Sequence, residues 1–307
     1  MLPAQHRMYR HWKAAGRMAE FLQFLVSGLT IGAVYALVAL GFTLVYNASD
    51  VVNFAQGEFV MMGGMVTVFA YAAGVPLPLA ALLAVVVSVI LGLSLYWLAI
   101  APARGASAVS LIIITIGASI FLRGTAQIVF DKQFHKLPAF SGDTPVQMFG
   151  AAVQPQSFWV IGGTAVIVLL LYVFLERTLL GKAVLATSAN RFAARLVGIN
   201  TTTIMALAFG GSAAIGGVAG ILITPITLTS YDVGTLLALK GFAAAMLGGM
   251  GNPLGAVAGG LLLGLLEAFG AGYISSTYKD AFAFLVILAV LFAAPQGLFG
   301  RRTIERV

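Results

Sequence analysis

Residues 21–46 read FLQFLVSGLTIGAVYALVALGFTLVY, which is 26 residues without one charged side chain. A helix needs about 20 mostly apolar residues to cross the hydrocarbon core of a bilayer. This stretch is therefore long enough and apolar enough to span a membrane. Similar runs recur along the chain, so we expect it to be the first of several spanning helices.

The composition of the whole chain also indicates a polytopic membrane protein. Hydrophobic residues make up 60% of the 307 residues and charged residues only 9%, and the mean hydropathy is +1.01. A soluble domain has no core large enough to bury so much apolar surface. We predict an all-α polytopic membrane protein with about eight to nine transmembrane or re-entrant helices. The candidate segments are residues 21–46, 51–73, 77–101, 107–130, 158–175, 203–223, 236–249, 253–274 and 281–294.

The basic residues are confined to a few places, and this predicts the orientation of the chain. Lys and Arg favour the cytoplasmic side of a membrane. We therefore expect the C-terminus and the loop 177–200 to be cytoplasmic and the loops 131–157 and 275–280 to lie outside. This pattern is a topology signal, and we expect no nucleic-acid partner. The net charge of +7 comes mainly from the basic N-terminal extension 1–20, the loop 177–200, Arg104, Arg301, Arg302 and Arg306.

The N-terminus conflicts with this orientation. Nine crossings would place it outside, yet its basic residues favour the inside. Either segment 51–73 is re-entrant and does not cross, or translation begins at Met18, and the sequence leaves both open. The basic residues in question are Arg7, Arg10, Lys13 and Arg17.

The loop 177–200 carries four basic residues and no acidic one between long apolar segments. If it is one helix, a stripe of small side chains lies along one face, and another surface can approach it closely. Gly198 is expected to end this helix, and Thr201 or Thr202 to cap the next one. The alternative is a solvated basic loop that only sets topology, because Ala favours helices anywhere. The stripe consists of Ala183, Ala186, Asn190, Ala193 and Ala194.

Three motifs stand out in the apolar sequence: NFAQGE at 53–58, GIN at 198–200 and KGFAAAMLGGMGNPLG at 240–255. They occur in the same order as in LivH-type permease subunits of branched-chain amino acid ABC transporters, which this chain resembles. The resemblance runs from about residue 21 to the C-terminus, and it includes YKD at 278–280 and PQGLFG at 295–300.

This resemblance implies a multi-pass permease subunit in the bacterial inner membrane, with 21–307 as a single permease domain. The implied partners are a LivM-type permease subunit, two LivG- and LivF-type ATPase subunits and a periplasmic substrate-binding protein. The ATPases would bind ATP, so this chain would need no cofactor and no catalytic residue. The only candidate for a Walker A motif, Gly181-Lys182, lacks the earlier Gly and the following Ser or Thr. The chain would then form a path for leucine, isoleucine or valine.

Other functions remain as alternatives. Permeases of the same family are also associated with urea, short amides or aromatic acids. An ion-coupled secondary transporter would need more intramembrane carboxylates and His residues than this sequence has. A membrane enzyme would need a nucleophile or metal cluster at membrane depth, and we expect neither catalysis nor a metal site.

The resemblance also implies roles for particular residues. The loop 177–202 would be the cytoplasmic coupling loop that docks on an ATPase. Apart from the resemblance, polar groups in an apolar segment are costly and predict that Asn53, Gln56, Gly57 and Glu58 lie beside the translocation path, where a break at Gly57 exposes backbone groups to a water-filled cavity. The alternative is that Glu58 lies near an interface or hydrogen-bonds a neighbouring helix to fix packing, and for Glu58 we favour a structural role over substrate binding. The coupling residues would be Gly181, Ala183, Ala186, Asn190, Ala193, Ala194, Gly198 and Asn200.

The remaining intramembrane charges are Arg123, Lys240 and Glu267. A charge at the bilayer centre costs about 2.5 to 3.5 kcal/mol on insertion scales. We expect Arg123 and Lys240 to reach an interface by snorkelling, and Glu267 to have a buried partner. Asp50 is expected to cap the helix that follows it.

Glycine spacing predicts how some helices pack. Gly251, Gly255 and Gly259 recur every four residues, the spacing that lets membrane helices approach closely. We expect this face to pack within the subunit against Gly216 and Gly220, with the partner permease as the alternative.

The order of the helices suggests a weak internal repeat. Residues 21–130 and 203–294 both contain a long helix, an interrupted helix and two further helices. The interrupted helix of the second half, 236–249, is interpreted as a broken helix lining the path.

Overall fold

The structure is a computed structural model that describes residues 3–103 and 105–300, with side chains from residue 18 onward except those of 282 and 283. Several of the basic side chains used to predict the orientation therefore lie outside the described residues. These are Arg7, Arg10, Lys13, Arg17, Arg104, Arg301, Arg302 and Arg306.

The described residues form eleven α-helices and one short β-hairpin. A π-helical turn, Tyr96–Ile100, extends α3, and β1 pairs antiparallel with β2. The elements are α1 Pro3–Ser49, α2 Gln56–Ala72, α3 Leu77–Leu95, α4 Ala108–Val129, β1 Val146–Met148, β2 Ala151–Val153, α5 Pro155–Arg177, α6 Leu179–Ala189, α7 Arg191–Leu196, α8 Thr201–Thr227, α9 Val233–Gly248, α10 Pro253–Tyr273 and α11 Lys279–Ala293.

Each of the nine predicted apolar segments contains a helix, which confirms the all-α membrane fold. Six helices are long and apolar enough to cross a membrane: α1 from Met18, α3 with its π-helical turn, α4, α5, α8 and α10. The centre of the bundle is formed by α1 and α8, since 89% and 78% of their most apolar windows are buried. The corresponding share for α4 is 6%, so this helix lies at the periphery.

The two ends of the bundle are defined by the β-hairpin and by α6 and α7. Gln23, early in α1, exchanges two hydrogen bonds with Ala152 of the hairpin. At the other end of α1, the Arg191 guanidinium of α7 donates to the carbonyl oxygen of Ala48. Helix α1 therefore runs from the hairpin end to the α6–α7 end.

The course of segment 51–73 argues against the re-entrant alternative, because the segment runs from one end of the bundle to the other as a broken helix. Residues 51–55 are not helical, and α2 begins at Gln56 beside Gly41, eight residues before the end of α1. From there α2 runs to the hairpin end, where the ring of Phe69 lies 4.8 Å from that of His135. Gln23 of α1 and the segment that follows α11 therefore lie at opposite ends of the bundle.

Asp50 does not cap α2. It ends α1 with a positive φ of 56°, and the side chain of Asn53 instead accepts a hydrogen bond from the backbone N–H of Ala55. Five residues separate Asp50 from the first turn of α2, which is too far for an N-cap.

Helix α9 is broken in the same way, but it runs in the opposite direction. It begins beside Gly57 of α2 and ends at Gly248, whose carbonyl accepts from the N–H of Phe299 at the α6–α7 end. The elements α1–α4 and α8–α11 therefore form two units of the same helix order with inverted directions, as the weak internal repeat predicts.

Glycines bring the helix backbones into direct contact. A β-carbon added to Gly220 of α8 would overlap the carbonyl oxygen of Val60 in α2, and one added to Gly264 of α10 would overlap the backbone of Gly32 in α1. The matching face predicted for the 251–259 glycines was wrong, because Gly216 and Gly220 are covered by α2.

The predicted glycine track itself is divided between a loop and a helix. Gly255 and Gly259 pack on α9, against Gly248 and Ala244. Gly251 precedes α10, has a φ of +91° and lies beside Asn47. The four-residue spacing wrongly predicted that all three glycines share one helix face, because the helix begins at Pro253, two residues after Gly251.

Intramembrane charges join α9 to α10 and α11. Lys240 Nζ lies 2.8 Å from Glu267 Oε1 and 2.7 Å from Asp280 Oδ1, and Tyr35 Oη donates to Glu267 Oε2 at 2.8 Å. The predicted buried partner of Glu267 is thus Lys240, which also pairs with Asp280. A lysine that can reach a buried carboxylate has no need to snorkel, because the pair offsets the desolvation of both groups.

We expect Gly220→Ala to lower the free energy of unfolding by about 1 to 3 kcal/mol, because the added carbon overpacks the contact with Val60. Thermal unfolding of the detergent-purified protein measures this. Gly162→Ala is the matched control, since a β-carbon at Gly162 meets no atom within 4 Å. Equal melting temperatures for the two variants would contradict the packing.

We expect Lys240→Met to destabilise the protein by about 3 to 5 kcal/mol, because it leaves a buried carboxylate without its main partner. The control Lys136→Met should cost less than about 1 kcal/mol, since Lys136 and Asp143 are both more than half exposed. Thermal unfolding again compares them. The double variant Lys240→Met with Glu267→Met should regain part of the loss, and a further loss would show that the ion pair is not the cause.

Candidate functional site

The first candidate site lies where α2 and α9 begin. A β-carbon on Gly57 would overlap the carbonyl oxygen of Gly234, and one on Gly234 would lie 2.6 Å from the carbonyl oxygen of Gly57. The two backbones therefore touch at this point, and the helices run from it to opposite ends of the bundle. Each helix N-terminus carries a partial positive charge, so the site concentrates positive potential in the interior.

Glu58 places a carboxylate at this crossing. Its side chain is 1% exposed, and its Oε1 accepts a hydrogen bond from Ser119 Oγ of α4 at 2.8 Å. Its Oε2 has no hydrogen-bond partner among the described residues. A buried acceptor without a partner is rare in folded proteins. The crossing therefore has an unused acceptor oxygen.

Arg123 brings a positive charge to the same region. It lies one turn after Ser119 on α4, and its Nη1 donates to Thr235 Oγ1, next to Gly234, at 2.8 Å. Its guanidinium therefore points to the start of α9. Within residues 3–103 and 105–300, no carboxylate lies within 4.0 Å of Arg123 to form an ion pair.

The other residues predicted for the path are buried in the fold. Gln56 Nε2 donates to the carbonyl oxygen of Ser212, and the Ser212 hydroxyl hydrogen-bonds both Gln56 Oε1 and the carbonyl oxygen of Gly41. Gln56 thus ties α2 to α1 and α8. Asn53 is also fully buried, and its Nδ2 lacks a partner in the described part of the chain. Of the four positions, only Glu58 hydrogen-bonds to the peripheral helix α4.

Thr115 of α4 stabilises the break before α2. Its Oγ1 accepts from the N–H of Phe54 at 3.2 Å, and its hydroxyl donates to the carbonyl oxygen of Ile112 at 2.8 Å. Irregular backbone at membrane depth is tolerated only where protein or water satisfies it. The sequence analysis missed Thr115, Ser119 and Thr235, although polar residues inside apolar segments were the available signal.

The second candidate site is the loop 177–200, which forms two helices and not the single helix expected. Asn190 is extended, with φ −159° and ψ 106°, and its side chain accepts from the N–H of Ala193 to cap α7. The stripe is therefore divided, with Ala183 and Ala186 on α6 and the other two alanines on α7. Asparagine readily bonds to nearby backbone in this way, and so it breaks a helix that the alanine spacing alone would continue.

The two helices bury only part of the predicted stripe. Gly181 of α6 packs against the backbone of Phe174, and Ala194 of α7 is buried. Ala186 and Ala193 are exposed. Gly198 ends α7 with a φ of +87°, as expected, but Asn200 and not Thr201 or Thr202 caps α8.

Large apolar side chains are exposed around the short helices. Their exposed fractions are 87% for Leu179, 72% for Phe192, 73% for Leu196 and 77% for Val197. Helices α6 and α7 lie at one end of the bundle, outside the six helices long enough to span a membrane, and there they expose apolar surface. Such a surface is typical of a protein-protein contact. The sequence analysis chose the alanines and overlooked these larger neighbours.

A family model and two relatives of known name all match nearly the whole chain and indicate one family. The model of the family "Branched-chain amino acid transport system / permease component" matches residues 24–291. The chain is 35% identical to the permease protein BraD of Pseudomonas aeruginosa, over 94% of this chain and 98% of that protein. It is 34% identical to LivH of Escherichia coli, again over 94% and 98%.

A solved structure of PsaBC from Streptococcus pneumoniae with a Fab is similar over 94% of this chain and 97% of that chain, at 16% identity and a TM-score of 0.49.

The names of BraD and LivH both describe a permease protein of a high-affinity branched-chain amino acid transport system. Because the family model and both relatives span nearly the whole chain, this protein belongs to the branched-chain amino acid transport permease family.

Proposed function

We propose that this chain is the permease subunit of an ATP-driven importer that carries leucine, isoleucine and valine across a bacterial inner membrane. The observation that carries the proposal is an exposed apolar element, α6 and α7, on a bundle whose interior holds two broken helices. The proposed partners are a LivM-type permease, two LivG- and LivF-type ATPases and a periplasmic binding protein. The ATPases hydrolyse ATP, and this chain has no catalytic role and needs no cofactor.

The α6–α7 element is the docking site for an ATPase. Its apolar side chains, Leu179, Phe192 and Leu196, supply buried area in such a contact. Ala186 and Ala193 of the same two helices are also exposed, and their small side chains let the partner approach closely. Docking here places the α6–α7 end, and with it the C-terminus, on the cytoplasmic side.

The translocation path runs along the inner face of α4. Although α4 is peripheral, it carries Ser119 and Arg123 on the side that faces the start of α2 and α9. An arginine facing lipid at this depth costs about 2.5 to 3.5 kcal/mol on insertion scales, so this region is better covered by a second permease and a hydrated path. Glu58 then lies beside the path, whereas Asn53, Gln56 and Gly57 hold the crossing in shape.

The substrate class rests on the relatives. BraD and LivH are both named for branched-chain amino acids, and together they set the expectation for this chain. The charges near the crossing, Glu58 and Arg123, have opposite signs, which suits a zwitterion better than an ion of one sign.

ATPase activity of the assembled complex tests the proposal. The chain is co-purified with its partner subunits, placed in nanodiscs and assayed with binding protein loaded with leucine, urea or no ligand. We expect stimulation by the leucine-loaded protein because loaded binding protein should favour the ATP-hydrolysing conformation. Stimulation only by urea or another ligand would overturn the proposed substrate class. Failure to assemble with ATPases would overturn the proposed function as an ATP-driven importer.

The docking role is tested by Ala193→Arg, which introduces a long charged side chain at the centre of the apolar surface. We expect uptake to fall at least tenfold while the protein remains folded, because a charge desolvated in an interface without a partner is costly. Ala193→Ser is the matched control and should retain coupled uptake. Normal uptake by the arginine variant would exclude this surface as the ATPase contact.

A further inference from the structure

A cavity of about 910 Å³ lies at the α6–α7 end, at the opposite end of α4 from Arg123. Its walls are the end of α1, the π-helical turn, the linker to α4, helix α7 and the start of α8. Its volume falls in the range of about 300 to 1,000 Å³ typical of small-molecule sites. Neither the docking surface nor the proposed path accounts for it.

Two arginines of α7 line this cavity, and each uses only part of its hydrogen-bonding capacity. Arg191 Nη2 donates to the carbonyl oxygen of Ala48 at 2.6 Å, and Arg195 Nε donates to Thr201 Oγ1 at 2.9 Å. In the described ranges neither has a carboxylate within 4.0 Å. Because a guanidinium has five N–H donors, both arginines can still bind a carboxylate.

Asp50 lines the same cavity under local strain. It follows the last residue of α1 with a φ of 56°, and its backbone N–H donates to Tyr46. Glycine is the favoured residue in this conformation, and an acidic side chain at a helix C-terminus is disfavoured by the helix dipole. Its carboxylate has no hydrogen bond to any described residue. Asp50 is exposed, so its carboxylate is available to a ligand in the cavity.

The rest of the wall combines polar residues such as Ser49, Asn200 and Thr202 with apolar ones. Ile100 from the π-helical turn, Leu111 from α4 and Met205 from α8 all line the cavity. A π-helical turn is itself uncommon and is frequent at functional sites. The cavity thus offers arginines, one carboxylate and an aliphatic wall.

We propose that this cavity binds a free α-amino acid with an aliphatic side chain from the α6–α7 side. Arg191 and Arg195 bind its carboxylate, Asp50 binds its ammonium group, and the aliphatic wall covers its side chain. Bound product separates α7 from the linker that precedes α4 and so slows further transport. This inference rests on the proposed substrate class, because the ligand is the imported molecule itself.

Direct binding is the first test, because Arg191 and Arg195 lie on the docking element and uptake alone would not separate binding from coupling. The assembled complex is placed in phosphatidylcholine nanodiscs without binding protein, and radiolabelled leucine binding is measured by scintillation proximity. We expect saturable binding that weakens about tenfold or more in Arg195→Gln and in Asp50→Asn, since each removes one hydrogen bond to a charged group. Arg195→Lys should recover part of the loss.

Lys132→Gln is the control, because it removes one positive charge at the hairpin end and should leave leucine binding unchanged. Thermal unfolding confirms that each variant is folded. In proteoliposomes, leucine preloaded on the α6–α7 side should slow uptake by the unaltered complex and slow it less in Asp50→Asn. Binding that is insensitive to both Arg195→Gln and Asp50→Asn would overturn the site.

Leucine uptake by the unaltered complex separates this inference from the proposed function. Uptake without saturable leucine binding would overturn the cavity site alone. Binding at the cavity without uptake would support the site and overturn the proposed substrate. Loss of leucine binding when phosphatidylglycerol is added to the nanodiscs would show that the cavity holds a lipid headgroup and would also overturn the amino acid site.

Discussion

The contact between Gly57 and Gly234 is the constraint on which the rest of the bundle depends. Helices α2 and α9 can begin inside the bundle only if the irregular backbone before each of them is buried in protein. Bringing the two breaks together satisfies this condition for both at once, and it requires that neither residue has a side chain. The inverted order of α1–α4 and α8–α11 follows, because α2 and α9 must run from this point to opposite ends.

Around this crossing, the helices are held together by close packing of their backbones and by polar contacts between their side chains. In a bilayer the lipid is as apolar as the core, so helices associate through packing of small residues and through hydrogen bonds. Gly220 and Gly264 allow the close packing. Gln56 and the Lys240–Glu267 pair form polar contacts between helices. Both kinds of contact join helices far apart in sequence, which explains why α1 and α8 form a single core.

Sequence alone located all nine membrane segments, because apolar length is a local property and a bilayer requires it of each helix. The interruptions before α2 and α9 were also visible, as polar or glycine-rich stretches. The contacts between side chains of different helices could not be predicted in this way. Whether Lys240 snorkels or pairs with Glu267 depends on tertiary contacts 27 residues apart. A single asparagine at 190 is equally compatible with a helix interior and a cap, so the division between α6 and α7 needed the structure.

The division at Asn190 matters for how the bundle responds to a partner at the α6–α7 end. Helix α6 packs through Gly181 on the end of α5, whereas α7 is bonded through Arg191 to the last turn of α1 and through Arg195 to the first turn of α8. A displacement of α7 therefore acts on α1 immediately before the break at 50–55. That break leads directly to Gln56 and Gly57, so one continuous stretch of chain joins the crossing of α2 and α9 to the part of α1 that Arg191 contacts.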